Sequence, residues 1–579
     1  MKKKSLFLLF AMMLVLSAFL AACNSDDGDT KPKSDDKDTG KKEDVVKDEG
    51  PQKGGTLVYG IDAEPEGKYS SAFYQISTDK EVIDFFDEAL INFDENLQPE
   101  PNLADWETED YQHYTFKFKE GVKWHNGEEL TVHDWVFALE TLADKDYEGS
   151  RYTNVSNIEG AEAYRAGTAD SISGLEVVSD YEIKVTFAEP RLNNLVDVWS
   201  YPLPKKAYEG IAVADMAASD VVRKNPIGVG PFKIEKIVPG ESVEFVRHDD
   251  YWNGDVLLDK IILRVIDNTS TVGALGKGDI HLMTLQPVSA PDVEKLENVE
   301  VVTAPGLSYY YVGFKLGVFD NDKLEIVEEK TKYADKNLRH AMMYALNRQE
   351  WVDAFFFGYG KPVNKPVPSS HWISADDSEL NTYDYDPEKA MQILDEAGYK
   401  DIDGDGFRED PNGEKFVIKF AHYATGNPTF EARSTALAQY WEEVGLQAEV
   451  DMTEVNLYYE MIEKDDPGME TFYGGWGTGT DPDPSGLWKS DVLWNYPRYN
   501  NPESDKLLED ALNVDLGDDT EKRKDIYVEW QKLINEELPM LFITELEEIV
   551  GVNENVGGFE IDVSGFNNSA NWYLKAGTK

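Results

Sequence analysis

The sequence predicts a mixed α/β (α+β) protein, and three observations predict it. Segments alternating apolar and polar residues at period two are interleaved with segments carrying a helical stripe, from one end of the chain to the other. Proline and glycine mark the starts and stops of the helical segments. No long apolar run follows Ala22, so neither kind of element is set aside for a membrane, and helices must pack on mixed sheets. From about Lys53 to Lys579 the body is long for one core and calls for two or three domains.

The chain opens with Lys2, Lys3 and Lys4, followed by the almost wholly apolar run Ser5 to Ala22. That is the layout of a secretory signal, 1–22. Its length is near the lower limit for a spanning helix, so an uncleaved anchor is the competing reading. The junction Leu20-Ala21-Ala22-Cys23 decides between them. Small residues just before the chain's single cysteine resemble the lipobox of bacterial lipoproteins. The resemblance implies lipidation of Cys23, with several acyl chains burying about 0.8 kcal/mol per methylene.

Residues 23–53 read as a leash. Asn24 to Gly50 holds ten acids and six lysines, no aromatics, and only Val45 and Val46 as sizeable apolar groups. Such a composition cannot offset its ordering entropy, so disorder is expected, with a reach of roughly 30 Å.

From there the elements follow in turn. "GGTLVYGI" (Gly54–Ile61) is a short buried strand, and "YTFKFKEGVKW" (Tyr114–Trp124) alternates before turning through "HNGEEL". "TVHDWVFALETLA" (Thr131–Ala143) opens on a cap-like Thr and carries Trp135, Leu139 and Leu142 on one stripe. "YEIKVTFAEP" and "VEFVRHDDYW" are further strands. "DPEKAMQILDEAGY" (Asp386–Tyr399) has an Asp cap, Pro at the first helical position and Gly398 as its stop. "STALAQYWEEVGLQAEV" leads from helix into strand. No internal repeat follows Gly50.

The formal charge of −55 disfavours a nucleic-acid partner, which needs a basic footprint. It suits either a solvated acidic surface in saline or alkaline surroundings, or a negative cleft drawing in cationic ligands. With one cysteine, disulfides and thiolate metal sites play no part in the body. "GALGKGDI" (Gly273–Ile280) has Thr271 and Gly278 where a phosphate loop needs Gly and Ser/Thr. Neither a Gly-x-Ser-x-Gly elbow nor a His-Glu-x-x-His motif occurs, and His125 and His133 flank a turn in a structural role. Nothing in the sequence requires an enzyme.

One stretch has metal spacing. "DIDGDGFRED" sets Asp401, Asp403, Asp405, Gly406, the Phe407 carbonyl and Glu409 at positions 1, 3, 5, 6, 7 and 9 of a calcium loop. The twelfth position is Asn412, and "EKFVIKF" reads as a strand where a helix would follow. The competing reading is a Gly-rich turn whose aspartates accept its own N–H groups. Calcium is a candidate structural ion, and no other cofactor is expected.

Five blocks in order resemble one family. They are "GGTLVYGI", "FKFKEGVKWHNGEELTVHDWVFALE", "NPIGVGPFKIEKIVPGESVEFVRHDDYWNG", "LRHAMMYALNRQEWVDAFFFGYGKPVNKPVP" and "DPEKAMQILDEAGY". They are similar to the extracytoplasmic solute-binding proteins of family 5, the oligopeptide/dipeptide/nickel-binding family, and most of all to Gram-positive oligopeptide receptors. The resemblance implies a bilobed, periplasmic-binding-protein-like fold of three domains with a ligand cleft between the lobes. Domain I would comprise 54–88, 201–306 and 543–579, domain II 89–200 and domain III 307–542. The lobes would be joined by crossings near Pro305-Gly306-Leu307 and near Phe542-Ile543-Thr544. The implied function is a lipid-anchored receptor, monomeric, on the outer face of the cell membrane. It would capture oligopeptides and deliver them to an ABC permease with cytoplasmic ATPases; an oligosaccharide or nickel receptor is the alternative within the family. The family's peptide-lining strand maps to "YGGWGTGTDPDPSGLW", where Gly475, Trp476 and Gly477 match. The plain packing of Trp476 in a core is the competing reading. Enteric relatives hold the peptide's α-amine with an aspartate three residues after the Trp; that position is Gly479 here, leaving Asp481 and Asp483 as candidates.

Overall fold

The computed structural model describes residues 50–323, 325–328, 331–424 and 429–575, all within the unit Asp48–Lys579. The expected signal, Cys23 and nearly all of the leash lie outside the described residues. No helix among those described is long and apolar enough to cross a membrane.

An eleven-stranded mixed sheet organises the protein. Its order runs Gln447–Glu454, Val417–Ala424, Thr471–Gly477, Val299–Phe314, Met540–Asn553, Leu282–Thr284, Thr56–Ile61, Lys260–Val265, Ser242–Arg247, Phe232–Val238, with Gly360–Lys361 beside Met540–Asn553. Thr56–Ile61 lies parallel to both its neighbours, as does Val417–Ala424. Strands paired this way are covered on both faces, and Leu57 to Ile61 is accordingly buried without alternation.

The two longest strands, Val299–Phe314 and Met540–Asn553, are antiparallel along nearly their whole length. Val299 to Pro305 faces Asn553 to Glu547, and Tyr309 to Gly313 faces Glu545 to Met540. Between Pro305 and Tyr309 the register slips, opposite Glu545–Glu547. A Cβ on Gly306 would stand 2.5 Å from the Leu546 carbonyl oxygen, so only glycine fits at this irregularity. Ser370 Oγ donates to Gly306 O at 2.8 Å.

A second sheet, ordered Ala104–Thr108, His113–Phe118, Glu182–Thr186, Leu175–Ser179, is antiparallel throughout. The helix Val132–Ala143 covers it, with Trp135 edge-on to Phe116 at 4.9 Å between ring centres. Its start is a capping box of Thr131 and Asp134, the Thr131 N–H donating to Asp134 Oδ2 at 3.0 Å. The alternating segment from Tyr114 gives a strand only to Phe118. Beyond it, Lys119 N donates to Leu103 O as a last rung, and Trp124 N then donates to Glu128 O within a turn of its own, so the chain leaves the ladder there. Val122 and Trp124 still face a core, which explains why the alternation continues past the strand.

Three main hydrophobic cores form, spanning Tyr309–Ile543, Ala72–Val229 and Leu57–Trp572. The helix Pro387–Ala397 starts on Asp386, which accepts from Lys389 N at 2.9 Å, and stops at Gly398 with φ 93°. "GALGKGDI" is the end of a helix, Thr271–Lys277, with Gly278 in the left-handed conformation that closes it. His125 is buried, its Nδ1 accepting from Gly228 N at 3.2 Å and its Nε2 meeting Gly230 O at 3.0 Å. Burial pushes its pKa down to about 3, so it is a neutral structural group. His133 lies exposed, 3.4 Å from Asp180.

Candidate functional site

The strand Thr471–Gly477 pairs along its whole length with Phe314–Ser308. On its other edge only Thr471 and Phe472 pair, with Phe420 and Ala421. From Tyr473 to Gly477, therefore, no strand adjoins that edge among the described residues. Thr478 N and Oγ1 both reach Leu307 O, at 2.8 and 3.0 Å, tying the strand's end to the register slip.

Gly475, Trp476 and Gly477 lie on this open stretch. Gly474 and Gly475 are needed by the protein itself, since Cβ atoms there would stand 2.6 Å from the Tyr311 ring and 2.9 Å from the Tyr310 ring. Gly477 has only Ser308 Oγ nearby, at 3.6 Å, so its free side is available. Trp476 is half-buried and stacks on Tyr496 at 5.2 Å. With Tyr311, Tyr459, Trp494 and Tyr496 it lines a cavity of about 350 Å³. It is neither plain core nor free surface.

The following turn carries the two candidate acids. Gly479 has φ 64° and no atom near a would-be Cβ. Asp483 Oδ1 accepts from Ser485 N at 3.0 Å and from Ser485 Oγ at 2.6 Å, which fixes it as a turn-former. Burial, then the charge of Asp481, pushes its pKa up to about 6. Asp481 Oδ1 accepts from Asp483 N at 3.0 Å. Its Oδ2 faces Asn193 Nδ2 at 3.4 Å, and its carboxylate meets that of Asp197. Burial, then Asp481, raises the Asp197 pKa well above the usual carboxylate range. Asn193 and Asp197 belong to the 72–229 region, nearly three hundred residues away, and nothing in the sequence pairs them with Asp481. Tyr111 Oη, which donates to Asp518 Oδ1 at 2.6 Å, makes a second contact between the same two regions.

A larger cavity, about 1180 Å³, opens beside the slip, with Pro305 to Ser308 and Thr480 in its wall. Among its described lining residues Lys80 is the one basic side chain, paired with Asp84. Glu81, Asp87, Glu88, Asp94, Glu95, Glu100 and Glu548 are also in the lining. Burial pushes Glu81 and Asp87 up to about 7. The negative charge of the chain is thus carried into this cavity as well as over its surface.

The stretch with metal spacing forms a tight turn. Asp401, Asp403 and Asp405 are exposed, each with an oxygen within 4.8 Å of the others. Asp401 Oδ1 and Oδ2 accept from Gly404 N and Gly406 N, Asp403 Oδ1 from Asp405 N, and Asp405 Oδ1 from Phe407 N. Glu409 Oε2 is turned onto Ile402 N at 2.7 Å, and Glu409 is buried. The three aspartates suit a hard cation in oxygen type and spacing. Their hydrogen bonds also suffice to hold the turn by themselves.

Comparison with known proteins places the fold. The family model "Bacterial extracellular solute-binding proteins, family 5 Middle" matches residues 98–496. The oligopeptide-binding protein AppA of Bacillus subtilis strain 168 is 28% identical over 568 residues, 96% of each chain. The oligopeptide-binding protein OppA of Lactococcus lactis subsp. cremoris strain SK11 is 26% identical over 464 residues, 77% of each. The solved structure of AppA from Bacillus subtilis in complex with a nonapeptide superposes with TM-score 0.69 at 27% identity, covering 91% of this chain and 100% of that one. Lactococcal OppA, complexed with an endogenous peptide in the closed conformation, gives TM-score 0.74 at 23% identity, covering 90% and 100%. The mixed α/β architecture is thus of the periplasmic-binding-protein-like kind. The chain belongs to the bacterial extracellular solute-binding proteins of family 5, a family of transport receptors and not of enzymes.

Proposed function

We propose that this protein is a lipid-anchored receptor on the outer face of the cell membrane that captures oligopeptides and delivers them to an ABC permease. The observation that carries the reading is the edge of Tyr473–Gly477 that no described strand joins, with the cavity of about 350 Å³ whose wall includes Tyr473 to Trp476. An extended peptide added to that edge gains main-chain hydrogen bonds that do not depend on its sequence, while the cavity accommodates its side chains. The oligopeptides bound by AppA and OppA support that ligand class here. Three domains are proposed, with 54–88, 201–306 and 543–579 as the first, 89–200 as the second and 307–542 as the third; the core that holds 89–200 also takes in Ala72, Phe73 and Leu203 to Val229. The two long strands that slip register at Pro305–Tyr309 are the place to hinge, and ligand shifts the population toward the closed form. Cys23 tethers the molecule, and the acidic leash lets it reach the permease.

Mass spectrometry of small molecules carried through purification, and of peptide mixtures incubated with the protein, tests this reading. Intact peptides retained in stoichiometric amount are expected. Recovery of cleaved fragments, or retention of sugars but no peptide, would overturn it.

A further inference from the structure

We propose that the cavity of about 350 Å³ beside the open strand edge is an aromatic cage for one basic side chain of the bound peptide, an arginine guanidinium before a lysine ammonium. The inference rests on the peptide reading above and names the side-chain chemistry that this part of the site selects. Three segments meet at the cavity. The strand Thr471–Gly477 supplies Trp476, the chain beyond it Trp494 and Tyr496, and the helix Val455–Glu463 Tyr459 and Glu463. Glu454 starts that helix by accepting from Asn456 N and Leu457 N, each at 3.1 Å. Tyr459 and Glu463, four residues apart, then fall on one side of it. Trp476 stacks on Tyr496 at 5.2 Å with planes 30° apart, and Trp494 is tilted 57° to the same ring at 5.9 Å. Trp494 and Tyr459 remain 49% and 39% exposed, so the cage opens to solvent between aromatic rings.

Glu463 brings a carboxylate to these rings. Tyr496 Oη donates to Glu463 Oε1 at 3.2 Å, and no described residue bonds to Oε2. The basic side chains nearby are used elsewhere: Lys464 pairs with Glu460, while Lys315 and Arg498 both meet Asp465. Arg498 Nη2 donates to the main-chain carbonyl of Glu463 at 3.1 Å and leaves the carboxylate alone. The described lining of the cavity holds no basic side chain. Aromatic faces carry a negative quadrupole that attracts a cation lying over the ring. An apolar side chain would fill the same space but strip water from Glu463 without supplying a counter-charge, and an acidic one would meet it as a like charge. A guanidinium is planar and weakly hydrated, so it lies flat on the rings while its fork donates to the spare carboxylate oxygen. Its apolar stem covers the cage wall. Side chains alternate along a peptide added to the open edge, so one position meets the cage while the main-chain bonds stay indifferent to sequence.

Titration calorimetry with an alanine host peptide, bearing at its centre arginine, its neutral isostere citrulline, norleucine or glutamate, tests the cage. The arginine peptide is expected to bind about tenfold tighter than the citrulline and norleucine peptides, with glutamate weakest. Glu463→Gln, which still accepts from Tyr496 Oη, should cut the arginine-to-citrulline ratio to about twofold or less, and so should Trp494→Leu. The ratio is read within one protein, so a general change in affinity cancels, and melting curves matching the unmutated protein establish that the variants fold. Arginine and citrulline binding alike, norleucine binding best, or the full preference surviving Glu463→Gln would overturn the inference with the alanine host still bound. Tetramethylammonium that binds through Glu463 yet leaves the arginine peptide's affinity untouched would give the cage to a separate solute and overturn it as well. Failure of every peptide to bind, the alanine host included, would overturn the receptor reading and this inference with it.

Discussion

A Cβ on Gly475 would stand 2.9 Å from both Cδ1 and Cε1 of Tyr310, its register partner on the adjoining strand. The tyrosine ring occupies the space a side chain would need, so this glycine is explained by the sheet before any ligand is considered. Tyr310 itself stacks toward Tyr473 at 6.0 Å, which limits how far it can retreat.

Gly475→Ala should therefore lower stability by about 1–3 kcal/mol, the usual cost of overpacking. In a Tyr310→Ala background the same change should cost much less, because contacting residues couple. Urea denaturation of the four proteins measures this. Equal costs in both backgrounds would show that the ring is not the obstacle.

Asp481 and Asp483 should behave differently. A charge-assisted hydrogen bond is worth about 1.5–3 kcal/mol, roughly ten- to a hundredfold in affinity. Asp481→Asn is expected to weaken a free-amine peptide by about that factor and its N-acetylated twin hardly at all. Asp483→Asn, which disturbs the Ser485 contacts, should weaken both alike and lower the melting temperature. If Asp481→Asn weakened both peptides equally, its role would be in the loop.

Cys23→Ser should release from the membrane a protein that still binds ligand. Fractionation and N-terminal mass measurement check it, and unchanged membrane association and processing would sink the lipoprotein reading.

Calcium at Asp401, Asp403 and Asp405 should raise the melting temperature, because a ligand of the folded state stabilises it by mass action. Asp403→Ala should remove the gain. Identical melting in calcium and in chelator would leave Asp401 to Asp405 as a self-sufficient turn.

Asp87 gives a pH dependence of known sign. Burial raises its pKa in the folded protein to about 7, against an ordinary value near 4 in the unfolded chain. The folded state thus binds the proton more tightly, and the stability this contributes is present below pH ~4 and lost as pH rises to ~7. Asp87→Asn, which can still accept from Ser71 Oγ at its present 2.7 Å, removes the loss. Its melting temperature relative to the unmutated protein should therefore become more positive between pH 4 and pH 8. A constant difference across that range would mean Asp87 titrates normally.

Local rules were enough for much of the fold. Asp386, Pro387 and Gly398 fix both ends of one helix, and Thr131 with Asp134 starts another, because caps act within a single turn of chain. The same local logic separates Gly278, a helix stop, from a phosphate loop. Yet Tyr114–Trp124 kept its alternation beyond the strand's true end at Phe118, since period two reports a face turned to a core and not a hydrogen-bonded partner.

By itself the sequence determined the mixed α/β class, the family resemblance and the strand bearing Gly475, Trp476 and Gly477, because each is written in residues close together in the chain. The tertiary structure alone decided which edge of that strand stays unpaired, where the two long strands slip, and which acid shapes the turn. It alone brought Asp197 and Asn193 to Asp481, since Asn193 and Asp481 stand 288 residues apart. Such a contact leaves no periodicity, cap or spacing behind; it exists only because two separately packed cores bring distant side chains together.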